Sequence, residues 1–270
     1  MNTTTPKRPR PRRQWTLWSL LAVSAVGIAV FAVRPYLTGD PDVSTIPLNP
    51  DYAPHYLSIV VHAIPGSLAL LIGPFQFLTG LRVRYPKAHR IAGQVYMACV
   101  VVGSAAALFA ATFTISGFAA KVAFYIMTAA WLYTLAKAYR TIRRGEVQLH
   151  RIWMIRNYAL TFAAVTLRLY LGGGLLLQGP FPSLTFDDIY IASVWASFLV
   201  NVLVAEYFIV NRTLAPLARR RPRRDASPRP RSTGATGPLV PVRDPIPGNA
   251  TDGQGRSVET ARSAGAETAK

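Results

Sequence analysis

Cysteine is almost absent. The 270-residue chain has one, Cys99, and a single thiol can build neither an intrachain disulfide framework nor a cysteine metal site. Cys99 lies within an apolar run and reads as a small buried hydrophobe. Acid is scarce as well: 12 Asp and Glu stand against 30 Lys and Arg, a formal net charge of +18. Charged residues make up only 16% of the chain while 51% are hydrophobic. That balance excludes an ordinary soluble domain, where about a quarter of residues are charged. The chain also lacks a nucleophile elbow, a zinc-protease helix, a phosphate loop and a dinucleotide fingerprint. Gly172-Gly173-Gly174 is a glycine run without the strand or lysine that a phosphate site needs. No hydrolase or nucleotide-binding class is indicated; the chain does not read as an enzyme, and any catalysis would be that of a membrane redox protein. Lysine is rare too, at five against 25 arginines, which with abundant Ala and Pro points to GC-rich coding and a bacterial source.

Long apolar runs are what the chain has in quantity. Hydrocarbon about 30 Å thick is crossed by roughly 20 apolar residues in helix, because the backbone must satisfy its own hydrogen bonds there. Six runs qualify: 15–33, 57–78, 91–113, 118–138, 153–177 and 189–210. They predict an all-α integral membrane bundle of six transmembrane helices. Trp15, Trp18, Tyr139, Trp153 and Tyr190 mark span ends, as interfacial aromatics do. With both termini cytoplasmic, 27 of the 30 cations fall on the inner side. Only Arg34 and Lys121 lie in outer loops, which hold Asp40, Asp42, Asp51, Asp187 and Asp188, while Arg168 is intramembrane. The positive-inside rule then expects a bacterial inner (plasma) membrane with the N- and C-termini in the cytoplasm.

The expected order is a basic cytoplasmic N-terminus at 1–14, a signal-anchor at 15–33 and an extracytoplasmic loop at 34–56. A five-helix membrane domain follows at 57–210, then a disordered basic cytoplasmic tail at 211–270. A 19-residue apolar run is long for the core of a cleaved signal peptide, so the first span is read as retained. The tail is rich in Arg, Pro, Ser, Thr and Gly, with too little apolar surface to offset the entropy of ordering. Its cluster at 219–224 would rest on anionic lipid headgroups at the cytoplasmic face, where each cation contributes about 1 kcal/mol. The expected partner is the lipid bilayer, with no nucleic acid; nothing in the sequence indicates an oligomeric state.

An offset of 61 residues superposes His89-Arg90-Ile91 on His150-Arg151-Ile152 and Arg82 on Arg143. Each His-Arg-Ile opens a span after a basic loop of equal length. Spans two-three and four-five therefore read as two parallel helical-hairpin repeats about an axis along the membrane normal. Such an axis brings His89 and His150 to one depth, where two imidazoles can ligate a b-type haem near the cytoplasmic face. Arg90, Arg151 and Arg156 would pair with its propionates.

Polar groups within the spans are few, and in lipid they mark a functional interior by default. His62, Gln76, Asn157, Arg168, Asn201 and Glu206 are the set. Span two is interrupted by Pro65-Gly66 and Gly73-Pro74, with His62 before the first and Gln76 after the second. A broken helix can line a cavity, which makes His62, Gln76 and Arg168 candidate ligand-binding residues. The alternative is an ordinary kink. Depth allows Glu206 to meet Arg156 or Asn157, and Arg168 to meet Asn201. His55 is read as a solvated interfacial residue on the same helix side as His62. No cluster supports a metal site. The first function reading is a membrane protein that binds a small ligand or cofactor; the alternatives are a transporter or channel and a structural or interaction protein without chemistry.

Gly73-Pro74-Phe75-Gln76-Phe77, Arg82, Arg84, Pro86, His89-Arg90, Gly93, Tyr96 and Trp131 form one part of a longer pattern. His150-Arg151, Trp153-Met154, Arg156-Asn157-Tyr158-Ala159-Leu160 and Arg168 complete it. The pattern resembles a bacterial family of predicted multi-pass membrane proteins known as domain of unknown function 2306. The resemblance covers about 57–177 and implies an integral-membrane fold with no established activity. The order of the His-bearing helices is also similar to that of cytochrome b561-like proteins. There, haem ligands lie within spans in paired sets on both sides of the membrane, whereas here the outer side offers only His55 and His62 on one helix.

The charge asymmetry predicts topology directly. Reporter fusions after Gly80 and Gly145 should read cytoplasmic, and fusions after Gly39 and Gln178 external. A cytoplasmic readout after Gln178 would break the six-span arrangement.

Overall fold

The computed structural model describes residues 12–211, which contain helices and turns and no strand. By its contacts the chain divides into two units, Met1–Pro222 and Arg223–Lys270, and every described residue belongs to the first. The extreme N-terminus, the tail beyond Asn211 and its arginine cluster lie outside the described residues. The helices are α1 (Arg12–Val33), α2 (Pro54–Gln76), α3 (Thr79–Arg84), α4 (Pro86–Phe113), α5 (Phe118–Arg143), α6 (Val147–Thr161), α7 (Ala163–Leu177) and α8 (Phe186–Ile209). Six crossings are long and apolar enough to span a membrane, with α6 and α7 together making the fifth.

Local chemistry sets the boundaries. Pro54 and Pro86 open α2 and α4, where the missing N–H costs nothing because first-turn N–H groups have no intrahelical partner. Thr185 starts α8 with a capping box, its side chain accepting from the Asp188 N–H while the Asp188 carboxylate accepts from the Thr185 N–H. Gly145, at φ 76°, takes the left-handed turn that lets α5 stop and α6 reverse direction.

Three hairpins result: α2 packs along α4, α5 along α6, and α7 along α8, while α8 also meets α5 and α6. Helix α1 lies against α2 and α7, with Ala25 and Ala29 buried in the core. The loops on either side of α3 and the turn between α5 and α6 share one end of the bundle, with Arg82, Arg84, Arg143 and Arg144. We call this the basic end, and the other the far end.

The interruption falls elsewhere than the prolines suggest. Helix α2 runs unbroken through Pro65 and Pro74. Pro74 has no N–H for the Leu70 carbonyl four residues back, and the Tyr158 hydroxyl donates to that carbonyl instead at 3.1 Å. The Pro74 carbonyl accepts from Trp18 Nε1 at 3.1 Å. Gly73 makes the arrangement possible, since a Cβ there would overlap the Tyr158 ring. The break lies in span five, where helix is lost at Phe162 between α6 and α7. The Thr161 hydroxyl bonds the Asn157 carbonyl four residues back at 3.1 Å, a contact that bends helices.

Gly73→Ala should therefore lower the unfolding temperature markedly. Tyr158→Phe, which strands only the Leu70 carbonyl, should cost about 1 kcal/mol. Thermal unfolding in lipid nanodiscs reads both, and an unaltered Gly73→Ala midpoint would contradict the packing.

Candidate functional site

Between mid-bundle and the far end, the helices enclose a cavity of about 230 Å³. Helix α2 supplies one wall through His55, Ile59, His62, Gly66 and Leu70, which recur at helical spacing and so share one face. At 1.5 Å per residue that face extends the cavity about 22 Å along the bundle. The opposite wall comes from Trp131 on α5, Arg168 on α7 and Tyr190 on α8, and Tyr36 covers it near the far end. His62 and Arg168 thus line one cavity, brought together from helices more than a hundred residues apart in sequence.

His62 is fixed by its Nδ1, 2.9 Å from the Gly103 carbonyl. A carbonyl only accepts, so Nδ1 carries the proton and Nε2 is left with a lone pair. A Cβ at Gly103 would lie in ordinary van der Waals contact with the Trp131 ring and the His62 backbone, at 3.7 Å from each. Trp131 stands edge-on to the His62 ring at 6.4 Å. Arg168 donates from Nη1 to the Ala164 carbonyl at 2.8 Å on its own helix. Among the described residues it has no carboxylate partner; the one ion pair there joins Arg156 to Glu206. A cation at mid-membrane costs at least about 2.5 kcal/mol on insertion scales, and Arg168 meets that cost beside a cavity.

The floor of the cavity is a network of hydrogen bonds. Trp131 Nε1 donates to the Thr161 hydroxyl at 2.9 Å, and both residues face the cavity. Tyr96, fully buried, donates to Asn157 Oδ1 at 2.7 Å and lies 2.8 Å from the Thr161 hydroxyl. Asn157 returns its amide to the Trp131 carbonyl and the Thr134 hydroxyl at 2.8 and 2.9 Å.

The remaining sequence candidates lie apart from this cavity. Gln76 sits near the basic end, its Oε1 3.6 Å from where a Cβ on Gly93 would be, and its buried Nε2 has no partner. His89 and His150 each occupy the fourth residue of their helix, α4 and α6, as the offset of 61 requires. They lie within electrostatic reach of each other. His150 Nδ1 is 2.8 Å from the Ala138 carbonyl, whereas His89 Nδ1 is buried without a partner among the described residues. Arg90 and Arg151 are exposed. Arg156 is engaged in a bidentate pair with Glu206, at 2.5 and 2.9 Å, and its guanidinium lies over the Trp153 ring at 4.6 Å.

Two expectations are corrected. His55 is not solvated: it is 2% exposed, and its Nδ1 accepts from the Asn49 N–H at 3.0 Å because the segment before α2 folds over it. Arg168 does not meet Asn201. Asn201 Nδ2 donates to the Ala159 carbonyl and the Thr166 hydroxyl at 3.0 and 3.1 Å, and Thr166, two residues before Arg168, faces away from it on the helix. Trp131, Tyr36, Tyr190 and Gly66 carry the cavity beside His62 and Arg168, and sequence reasoning assigned none of them to it. The spacing of His55, Ile59, His62, Gly66 and Leu70 on one helical face was the readable sign.

No curated protein and no solved structure is significantly similar to the chain, so the likeness to cytochrome b561-like proteins gains no support. A family model does match. The model described as predicted membrane protein (DUF2306) covers residues 59–209, from α2 to the end of α8 and more than half of the sequence. With its six apolar crossings, the chain belongs to that family of membrane proteins.

Proposed function

We propose that this is a small-ligand-binding membrane protein whose site is the cavity lined by His62, Trp131 and Arg168. The observation that carries the reading is Arg168: a cation deep in an apolar bundle, with no carboxylate partner among the described residues, facing about 230 Å³ of space. The bonded floor from Trp131 to Asn157 favours a closed-bottomed binding site over a through-going channel. Gly66 offers a clean test. It lines the cavity and has nothing within 4 Å of its added Cβ, so Gly66→Leu fills the site without a backbone clash. In nanodiscs, ω-bromodecanol should quench tryptophan fluorescence through a saturable component that Trp131→Phe diminishes. Gly66→Leu should abolish that component while leaving the unfolding temperature unchanged or higher, since leucine favours helix over glycine. The same saturable component in Gly66→Leu would sink the proposal.

The histidine pair carries a second reading, b-type haem between His89 and His150. It is favoured by their equivalent helical positions and by the Ala138 carbonyl that orients His150. Bis-imidazole ligation places the two ring nitrogens about 4 Å apart across the iron. Arg156, held by Glu206, is not free to take a propionate. Protein purified from haem-replete cells should then show a reducible low-spin Soret band, lost in His89→Ala and in His150→Ala and kept in His55→Ala. A spectrum without that band removes this reading.

A further inference from the structure

The cavity is chemically uneven along its length. From His62 and Arg168 toward the far end it is polar: Tyr36 and Tyr190 line it within electrostatic reach of the guanidinium. Arg168 spends one N–H on Ala164, and its other N–H groups meet no protein acceptor among the described residues. They are not sealed within protein, and Arg168 is one of the residues that line the cavity. An array of free guanidinium donors in an apolar surround is matched by an oxyanion, which takes two of them in parallel. Toward mid-bundle Leu70 and Leu160 line it, and the polar groups of Trp131 and Thr161 beside them are paired with each other. Leu70 lies eight residues beyond His62 on α2, about 12 Å deeper. The α2 face from His55 to Leu70 carries the lining over about 22 Å, a length that suits an extended chain.

We infer that the ligand is a single-chain amphiphile with an anionic oxygen headgroup, its head on Arg168 and its chain running along the α2 face to Leu70 and Leu160. This rests on the reading of the cavity as a binding site and adds the chemical class. Tyr36, Tyr190 and His62 line the same cavity and supply the polar surround of that head. Two sources share this chemistry: an acid released from membrane lipid and a short water-soluble acid.

The test compares three brominated chains of equal length in phosphatidylcholine nanodiscs at neutral pH: ω-bromodecanoate, ω-bromodecanol and ω-bromodecyltrimethylammonium. The readout is the saturable quenching of tryptophan fluorescence that depends on Trp131. Decanoate should bind about tenfold or more tightly than the alcohol or the ammonium, the worth of a charge-assisted hydrogen-bond pair. That preference needs no variant to measure. Arg168→Gln should remove it and Arg168→Lys should keep most of it. Acetate should fail to displace bromodecanoate if the chain is part of the recognition; displacement by acetate at equal concentration would overturn the chain and point to a small soluble acid. Equal affinity for all three chains, with binding still abolished by Gly66→Leu, would overturn the anionic class and leave the binding site standing. Loss of saturable quenching for every probe would overturn both.

Discussion

Asn157 is completely buried in a bundle whose surroundings offer no water, and each hydrogen-bonding group of its side chain is met by a neighbouring helix. That requirement organises much of the rest. In lipid an unpaired amide costs free energy that apolar burial cannot offset, because lipid tails are as apolar as leucine. Tyr96 on α4 and Thr134 on α5 are therefore drawn to α6, and Trp131 and Thr161 close the ring. Tyr96 and Asn157 are also separated by the 61 residues that relate the two His-Arg-Ile segments.

The same network explains why the fifth crossing is two helices. Thr161 accepts from Trp131, contacts Tyr96 and bonds back to the Asn157 carbonyl, and helix is lost at the next residue. Beyond the break, Ala163, Ala164, Leu167 and Arg168 of α7 line the cavity. The residues that satisfy Asn157 thus directly precede the segment that carries the cavity's cation.

The sequence announces the helices and conceals the site's assembly. Apolar length and charge pattern locate all six crossings to within a few residues, because spanning a membrane is a constraint on composition alone. Depth narrows the partner of Glu206 to Arg156 or Asn157, and the structure selects Arg156 because the Asn157 side chain is taken up by Tyr96, Trp131 and Thr134. The prolines mislead for a tertiary reason: a carbonyl freed in α2 is recaptured by Tyr158, 88 residues away, so the kink signal is local and its remedy is not. The break at Phe162 carries neither proline nor glycine and has no local signature. His55 looks interfacial by position and is buried because a loop without periodicity folds across it.

Rotation about the helix axis is the remaining unknown that a linear pattern leaves open, and it decides which intramembrane polar groups meet. Arg168 and Asn201 share a depth, yet Asn201 reaches Thr166 and Arg168 turns to the cavity, because a two-residue step on a helix rotates the side chain about 200°. His62 and Arg168 share a cavity because one helical face of α2 and one of α7 point inward together. Gln76, 14 residues beyond His62 on the same helix and so roughly 21 Å away, is too far along the bundle to join them. Its amide instead lies beside Gly93, one helical turn from His89 on α4, and neither Gln76 Nε2 nor His89 Nδ1 has a partner among the described residues. Buried polarity among the described residues is therefore divided between two levels, the cavity with Arg168 toward the far end and the Gln76 and His89 groups toward the basic end, with the closed Asn157 network between them.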